Sequence, residues 1–363
     1  MMRVSREIVE GVRRARRESR VDVGGGTDAL KVRLAVQELG YRPGSPEIYI
    51  TSGDDDAKLA KALRGPTTYA FPLSSLPIGA DTERAERHAA NSRRKFLELY
   101  AEIDRRMPGR YFQSMYGGCT GGTAFAARLL ALYALDAWPN LSAVFEVRLP
   151  RESPPPVFRL NIANNLRLLS GSYRCTVAPQ VRIPADRVAT VLYPADPNMV
   201  EVGGYGQIAK FRSTLYRGLA RESDWGNIFK NFAFAYCEDD GFLPACFPAF
   251  LEANSDIGLV SQARNVNLKS PFAFEIMNHV DFERPEEVTL LVVLESPDSE
   301  NKRVELLERL LSELTFAEEV SKNVNPQLIH TRGQRYAAAL LLGPVPVKAV
   351  RCGQWEFNLA ERG

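Results

Sequence analysis

Tyr116-Gly117-Gly118-Cys119-Thr120-Gly121-Gly122-Thr123 is the stretch that decides how this chain is read. Before it stands Tyr111-Phe112-Gln113-Ser114-Met115, short and rich in β-formers. After it, residues 124–138 carry Phe125, Ala126, Leu129, Leu130, Leu132, Tyr133, Leu135 and Trp138, apolar nearly all round. A strand, a glycine turn and a buried helix are predicted. Four glycines around a hydroxyl let the backbone approach a bulky anion and aim N–H groups at it. The helix N-terminus adds about half a positive charge. Gly117, Gly118, Cys119, Thr120, Gly121 and Gly122 thus read as a phosphate cradle. A tight turn between two buried elements is the other reading of the glycines alone.

Upstream, the pattern recurs. Val21-Asp22-Val23-Gly24-Gly25-Gly26-Thr27-Asp28 leads into a helical pattern over 29–40, giving a second strand, glycine loop and helix. Glu47-Ile48-Tyr49-Ile50-Thr51 is a strand after the Pro43-Gly44-Ser45-Pro46 breaker, followed by Asp54-Asp55-Asp56 and a helix over 57–63. Carboxylates there can hold the waters of Mg²⁺ or ribose hydroxyls, and Asp also caps helix N-termini. Gly79-Ala80, placed to approach a phosphate, precedes a charged helix over 82–107 capped by Asp81 or Thr82.

Downstream come a strand over 141–147, the turn Pro150-Arg151-Glu152-Ser153, a helix over 158–170, and Val181 to Val188. Strands alternating with helices predict an α/β fold with a doubly wound, mainly parallel sheet. Ligands of such sheets bind at the carboxyl ends of the strands, where these loops gather. Strands at 288–294 and 336–342 and a helix over 301–314 form a second, α+β domain.

The chain of 363 residues is long enough for two sizeable cores. With 46 Lys plus Arg against 44 Asp plus Glu, charge gives no reason to expect nucleic acid as a partner. Five scattered Cys and three His without ligand spacing make a zinc or His-built metal centre an unfavoured expectation. No run approaches the ~20 apolar residues of a membrane span, so a cytoplasmic location is expected. Residues 1–20 carry seven arginines with Val4, Ile8, Val9 and Val12 on one stripe, a basic amphipathic helix that is either a solvated face or a contact for lipid or a partner.

The ordered set of loops resembles the tubulin/FtsZ superfamily of GTP-binding filament proteins, including its FtsZ, TubZ and CetZ branches. The family signature GGGTG[ST]G looks like Gly117 to Thr123, with Cys119 and Gly122 replacing a glycine and a hydroxyl residue. FtsZ's I-P-N-D-R-L resembles Ile183-Pro184-Ala185-Asp186-Arg187-Val188. The family's long helix resembles 206–221, where Ile208, Phe211, Leu215 and Leu219 form a stripe. The resemblance spans about residues 20 to 345. It divides the chain into a nucleotide-binding domain (21–202), a central helix and loop (203–231), and an activation-like α+β domain (232–363).

What the resemblance implies is GTP or GDP with Mg²⁺, held by Gly24, Gly25, Gly26, Asp54, Gly79, Ala80, the loop Gly117 to Gly122, and Glu152. Tyr205 would stack on the base and Gln207 hydrogen-bond it. Ala185 stands where the family has an Asn that reads guanine, so guanine and adenine both remain open. The partner is a second copy, assembled head to tail, whose loop after the long helix enters the pocket. In 221–230 Asp224 fits the first catalytic acid and Asn227 falls on the second; Glu238-Asp239-Asp240 is a rival placement, and either can be a solvated loop. An amide cannot act as a base. The chain also stops without the long polar tail of bacterial FtsZ, so no adaptor is named and a division-ring role is not expected. A relative that binds nucleotide weakly and serves as a scaffold is the alternative. A Rossmann oxidoreductase is disfavoured because neither loop is GxGxxG. A further reading makes Cys119 a nucleophile at a helix N-terminus, with a lowered pKa.

Overall fold

The computed structural model describes residues 20–38, 46–63, 68–106, 111–139, 141–150, 153–181, 188–193, 257–263, 280–287, 289–313, 324–330, 336–342 and 347–359. The basic segment 1–19, Glu152, the motif at 183–187, Tyr205, Gln207, the helix over 206–221, Asp224 and the acidic stretch 238–240 lie outside the described residues.

The predicted alternation is present. β1 (Arg20–Gly25), α1 (Gly26–Glu38), β2 (Glu47–Ser52), α2 (Gly53–Ala62), β3 (Thr68–Ser74), α3 (Thr82–Arg106), β4 (Tyr111–Gly118), α4 (Gly122–Ala137), β5 (Leu141–Arg148), α5 (Pro156–Leu169), β6 (Val188–Tyr193) and β7 (Ile257–Ala263) follow in turn. The C-terminal part supplies β8 (Val280–Phe282), β9 (Thr289–Ser296), α6 (Glu300–Glu313), β10 (Val324–His330), β11 (Tyr336–Leu342), β12 (Val347–Cys352) and β13 (Trp355–Asn358).

Ten strands form one sheet in the order β3-β2-β1-β4-β5-β6-β7-β11-β9-β10. Its first seven strands, from β3 to β7, run parallel. β11 is antiparallel to both β7 and β9, and the α+β part joins the sheet edge to edge through β6 and β7. β13, β12 and β8 make a separate three-stranded sheet. The order reverses between β1 and β4, the neighbours on either side of which are reached by crossovers in opposite directions. Such a reversal splays the loops apart and leaves a crevice at the strands' carboxyl ends.

The core is built on α4. Every residue from Gly122 to Leu135 is buried, as an all-round apolar sequence requires. α4 lies between the sheet and α3. Phe96, Tyr100 and Ile103 of α3 share one cluster with Val23, Ile50, Met115 and Phe145 of the strands. The rings Phe71, Phe96, Tyr100 and Trp138 run in series, with centroids 5.4, 5.1 and 5.7 Å apart. Burying each such side chain contributes about 1.5–3 kcal/mol, so α4 and its neighbours hold the loops that flank it in place.

Several boundaries differ from the sequence reading, among them three at the loops that matter. β4 continues to Gly118 because its glycines pair in register with β1 and β5. α4 starts at Gly122 and α2 at Gly53, each a turn or so before the first apolar residue of its pattern. Periodicity marks where a helix begins to bury side chains, and the first turn can precede that point.

Candidate functional site

A cleft of about 670 Å³ opens at the carboxyl ends of β1, β2 and β4, beside the β1/β4 reversal. Its walls come from Gly25 to Asp28, Ser52 and Asp54 to Asp56, the 75–80 segment, and Gly118, Thr120, Gly121, Thr123 and Ala124. Four turns separated by up to a hundred residues therefore meet at one rim. Both glycine loops and Gly79-Ala80 are among them.

The loop between β4 and α4 is held from behind. Arg128 donates from Nη2 to the Gly117 carbonyl (2.6 Å) and from Nη1 to the Gly118 carbonyl (3.0 Å). Asn165 Nδ2 donates to the Cys119 carbonyl at 2.9 Å, and Asn161 Nδ2 to the Thr120 carbonyl at 2.5 Å. The Cys119 N–H is given to the Arg148 carbonyl and the Gly122 N–H to the Gly79 carbonyl. At the N-cap of α4, Gly121 has no side chain to offer, and a Cβ there would meet nothing within 4 Å. The first-turn N–H groups of Thr123 and Ala124 have no intrahelical carbonyl to bond, and both residues line the cleft. Here a helix N-terminus is left uncapped toward open space.

The glycines divide into two kinds. A Cβ on Gly24 would sit 2.6 Å from the Tyr49 ring, on Gly25 2.6 Å from Ala127 Cβ, and on Gly118 2.5 Å from Asp28 Oδ2. On Gly117 it would be 3.1 Å from Ala124 Cβ, and on Gly122 2.7 Å from Ile78 Cγ2. These glycines permit close packing of strand, helix and loop. Gly24, Gly117, Cys119 and Gly122 stand behind the cleft wall; Gly25, Gly26, Gly79, Ala80, Gly118, Thr120, Gly121 and Asp54 line it. Gly79 has φ +70° with no atom within 4 Å of its would-be Cβ, so its bare backbone faces outward in a conformation that favours glycine.

The acids also divide. Asp56 is engaged by its neighbours: it accepts from the Ser52 N–H (3.0 Å) and from Thr27 Oγ1 (2.8 Å). Asp28 pairs with Arg148 at 3.0 Å. Asp54 and Asp55 are exposed at the rim near Lys58. Among the described lining residues, four carboxylates thus stand against one ammonium.

Cys119 is not an activated nucleophile. Its thiol is buried, and burial pushes its pKa up to about 12, outweighing the pull of Arg128. A thiolate needs an exposed, electropositive setting, which a closed apolar core denies it. Burial also draws the Arg128 guanidinium down to about 10, leaving it charged at neutral pH.

No protein-family model and no curated protein matches the chain in sequence. Solved structures do match in shape. CetZ from Methanosaeta thermophila superposes with a TM-score of 0.58 at 14% identity, over 89% of this chain and 86% of that one. FtsZ from M. jannaschii gives 0.55 at 14% identity, over 93% and 94%. CetZ2 from Haloferax volcanii, solved as a GTPγS-bound protofilament, gives 0.55 at 15% identity, over 92% and 95%.

The chain has the tubulin/FtsZ fold.

Within the tubulin/FtsZ fold of this chain, the signature-like loop, the first glycine loop and the acidic loop lie at one rim. Sequence reasoning missed Thr27, Asp28, Ser52, Lys58, Thr123 and Phe158, which also line the cleft. Thr27 and Asp28 directly follow three glycines, and that adjacency was a usable signal. Arg128, Asn161 and Asn165 left a subtler one: polar side chains inside otherwise apolar helical faces.

Proposed function

We propose that this is a divergent tubulin/FtsZ-like cytoskeletal protein that binds GTP in the β1/β4 cleft and assembles head to tail. The observation that supports it most is the uncapped N-terminus of α4 opening on a 670 Å³ cleft with Gly121 bare. Backbone N–H groups and the helix dipole there suit a polyphosphate. That the fold is shared with a CetZ solved as a GTPγS-bound protofilament supports the choice of ligand and of assembly. In this reading the bound nucleotide is shared between subunits, and Asp224 of a neighbour orients the attacking water. Hydrolysis is then positioning and charge stabilisation, with little covalent work for the protein.

The residues present suit a magnesium nucleotide. Among the described residues no three His, Cys, Asp or Glu side chains converge. Mg²⁺ takes most of its ligands from phosphate oxygens and water, and Asp54 and Asp55 would hold those waters. When bound, the cation neutralises charge on the phosphates, which the acidic rim otherwise repels. No described helix is long and apolar enough to cross a membrane.

Phosphate release from MgGTP as a function of protein concentration tests the reading. A specific rate that rises with concentration is expected for a site completed by a second copy. Gly121→Val, which fills the open N-cap position, should abolish nucleotide retention. Retention unchanged in that variant would remove the phosphate-loop assignment, and strictly linear release would remove the shared site.

A further inference from the structure

The geometry points to Asn161 and Asn165 of α5, with Arg128 of α4, as positioning residues that orient the phosphate loop; the inference rests on the nucleotide reading above. Four consecutive carbonyls, from Gly117 to Thr120, accept hydrogen bonds from these three side chains. In a trans peptide the C=O and the following N–H point in opposite directions, and no cis bond occurs among the described residues. Holding the Cys119 carbonyl inward therefore turns the Thr120 N–H outward. Holding the Thr120 carbonyl turns the Gly121 N–H outward in the same way. Both Thr120 and Gly121 line the cleft.

These side chains have no evident reason to be buried other than the loop. Asn161 is 1% exposed and Asn165 fully buried, in a helix whose other buried residues are Ile162, Ala163, Leu166, Leu168 and Leu169. Burying an amide is unfavourable unless it is hydrogen-bonded. Asn161 Oδ1 has no partner among the described residues, so the Thr120 carbonyl is what its amide finds there. Asn165 links the set: its Nδ2 also bonds the Asn161 carbonyl at 2.8 Å, and its Oδ1 accepts from Arg128. The Arg128 charge is held by neutral acceptors in this network, directly behind the loop. A cation fixed there raises the potential at the N–H groups in front of it. The lining carboxylates oppose it, which makes the orientation of each N–H matter more.

Binding of MgGTP and of inorganic pyrophosphate to the full chain, measured by calorimetry, tests this. Asn161→Leu keeps the side chain's bulk and removes the donor; Asn161→Asp keeps its shape and turns the donor into an acceptor. Each folded variant is expected to bind both probes about tenfold more weakly, the loss of an oriented N–H to a charged oxygen. Asn161→Asp should lose most, because it repels the Thr120 carbonyl and favours the flipped peptide. The amide signal of Gly121, which pyrophosphate should shift in the wild-type protein, should cease to respond. Should either variant fail to fold, Asn161→Ser, too short to reach the carbonyl, takes its place. Variants that lose thermal stability but bind pyrophosphate like the wild type would overturn the positioning role and leave the nucleotide reading intact. Wild-type protein that binds neither probe would overturn both.

Discussion

Single residues at the cleft answer to different constraints even when they share a type. Gly24 and Gly121 are both in glycine-rich loops, and both read as phosphate-loop glycines in sequence. Gly24 is closed in by the Tyr49 ring and Ala29, whereas Gly121 faces open space. Gly24→Ala should therefore destabilise the protein by about 2 kcal/mol through overpacking. Gly121→Ala, a change at an already uncapped N-cap, should stay within about 1 kcal/mol. Denaturant unfolding of the two variants checks this, and equal losses would contradict the division. The glycine count could not separate them, because what lies around each Cβ position comes from another element. Cys119 teaches the same lesson. A thiol near a helix start reads as activated in sequence, and burial makes it inert in the fold.

Among the elements, α3 and the segment after α5 are joined by one buried carboxylate. Glu86 is fully buried and accepts from the Val177 and Ala178 N–H groups, both at 2.6 Å, and from the Tyr173 hydroxyl at 3.0 Å. Burial, aided by this carboxylate, pushes the Tyr173 phenol up, so it remains a donor. Glu86→Ala would orphan two backbone donors and should cost about 2–4 kcal/mol. Faster hydrogen exchange at Val177 and Ala178 than in the rest of the fold should accompany the lower melting temperature. Protection unchanged at these two amides would show that the segment is held by something else. The sequence reading placed α3 within a residue of its observed ends but could not see this anchor. Glu86 looks like one more charge on a charged helix, and its partners lie about ninety residues on.

At the scale of the whole molecule, a cleft at the strands' carboxyl ends with four carboxylates and one lysine is a poor host for a bare polyphosphate. The proposed ligand should accordingly act as a magnesium complex. A saturating MgGTP concentration, a hundredfold above Kd, would stabilise the native state by about 2.7 kcal/mol. A melting temperature raised by several degrees is expected, and EDTA should remove most of that shift. A shift that survives EDTA would argue against cation-bridged binding. On this scale the sequence was legible where local chemistry is repeated along the chain: strand, glycine loop and helix twice over, and an all-apolar α4 that had to be buried. Periodicity and turn chemistry act over a few residues, so they can be read from a few residues. The short edge strand β3, interrupted by Pro72, and the C-terminal strands β7, β8, β10, β12 and β13 carried no such pattern. By itself the amino-acid sequence determined the α/β alternation, the loops at the strand ends and the burial of α4. Only the tertiary structure decided which loop groups face the cleft, because the hydrogen bonds that turn each peptide come from side chains up to 46 residues away.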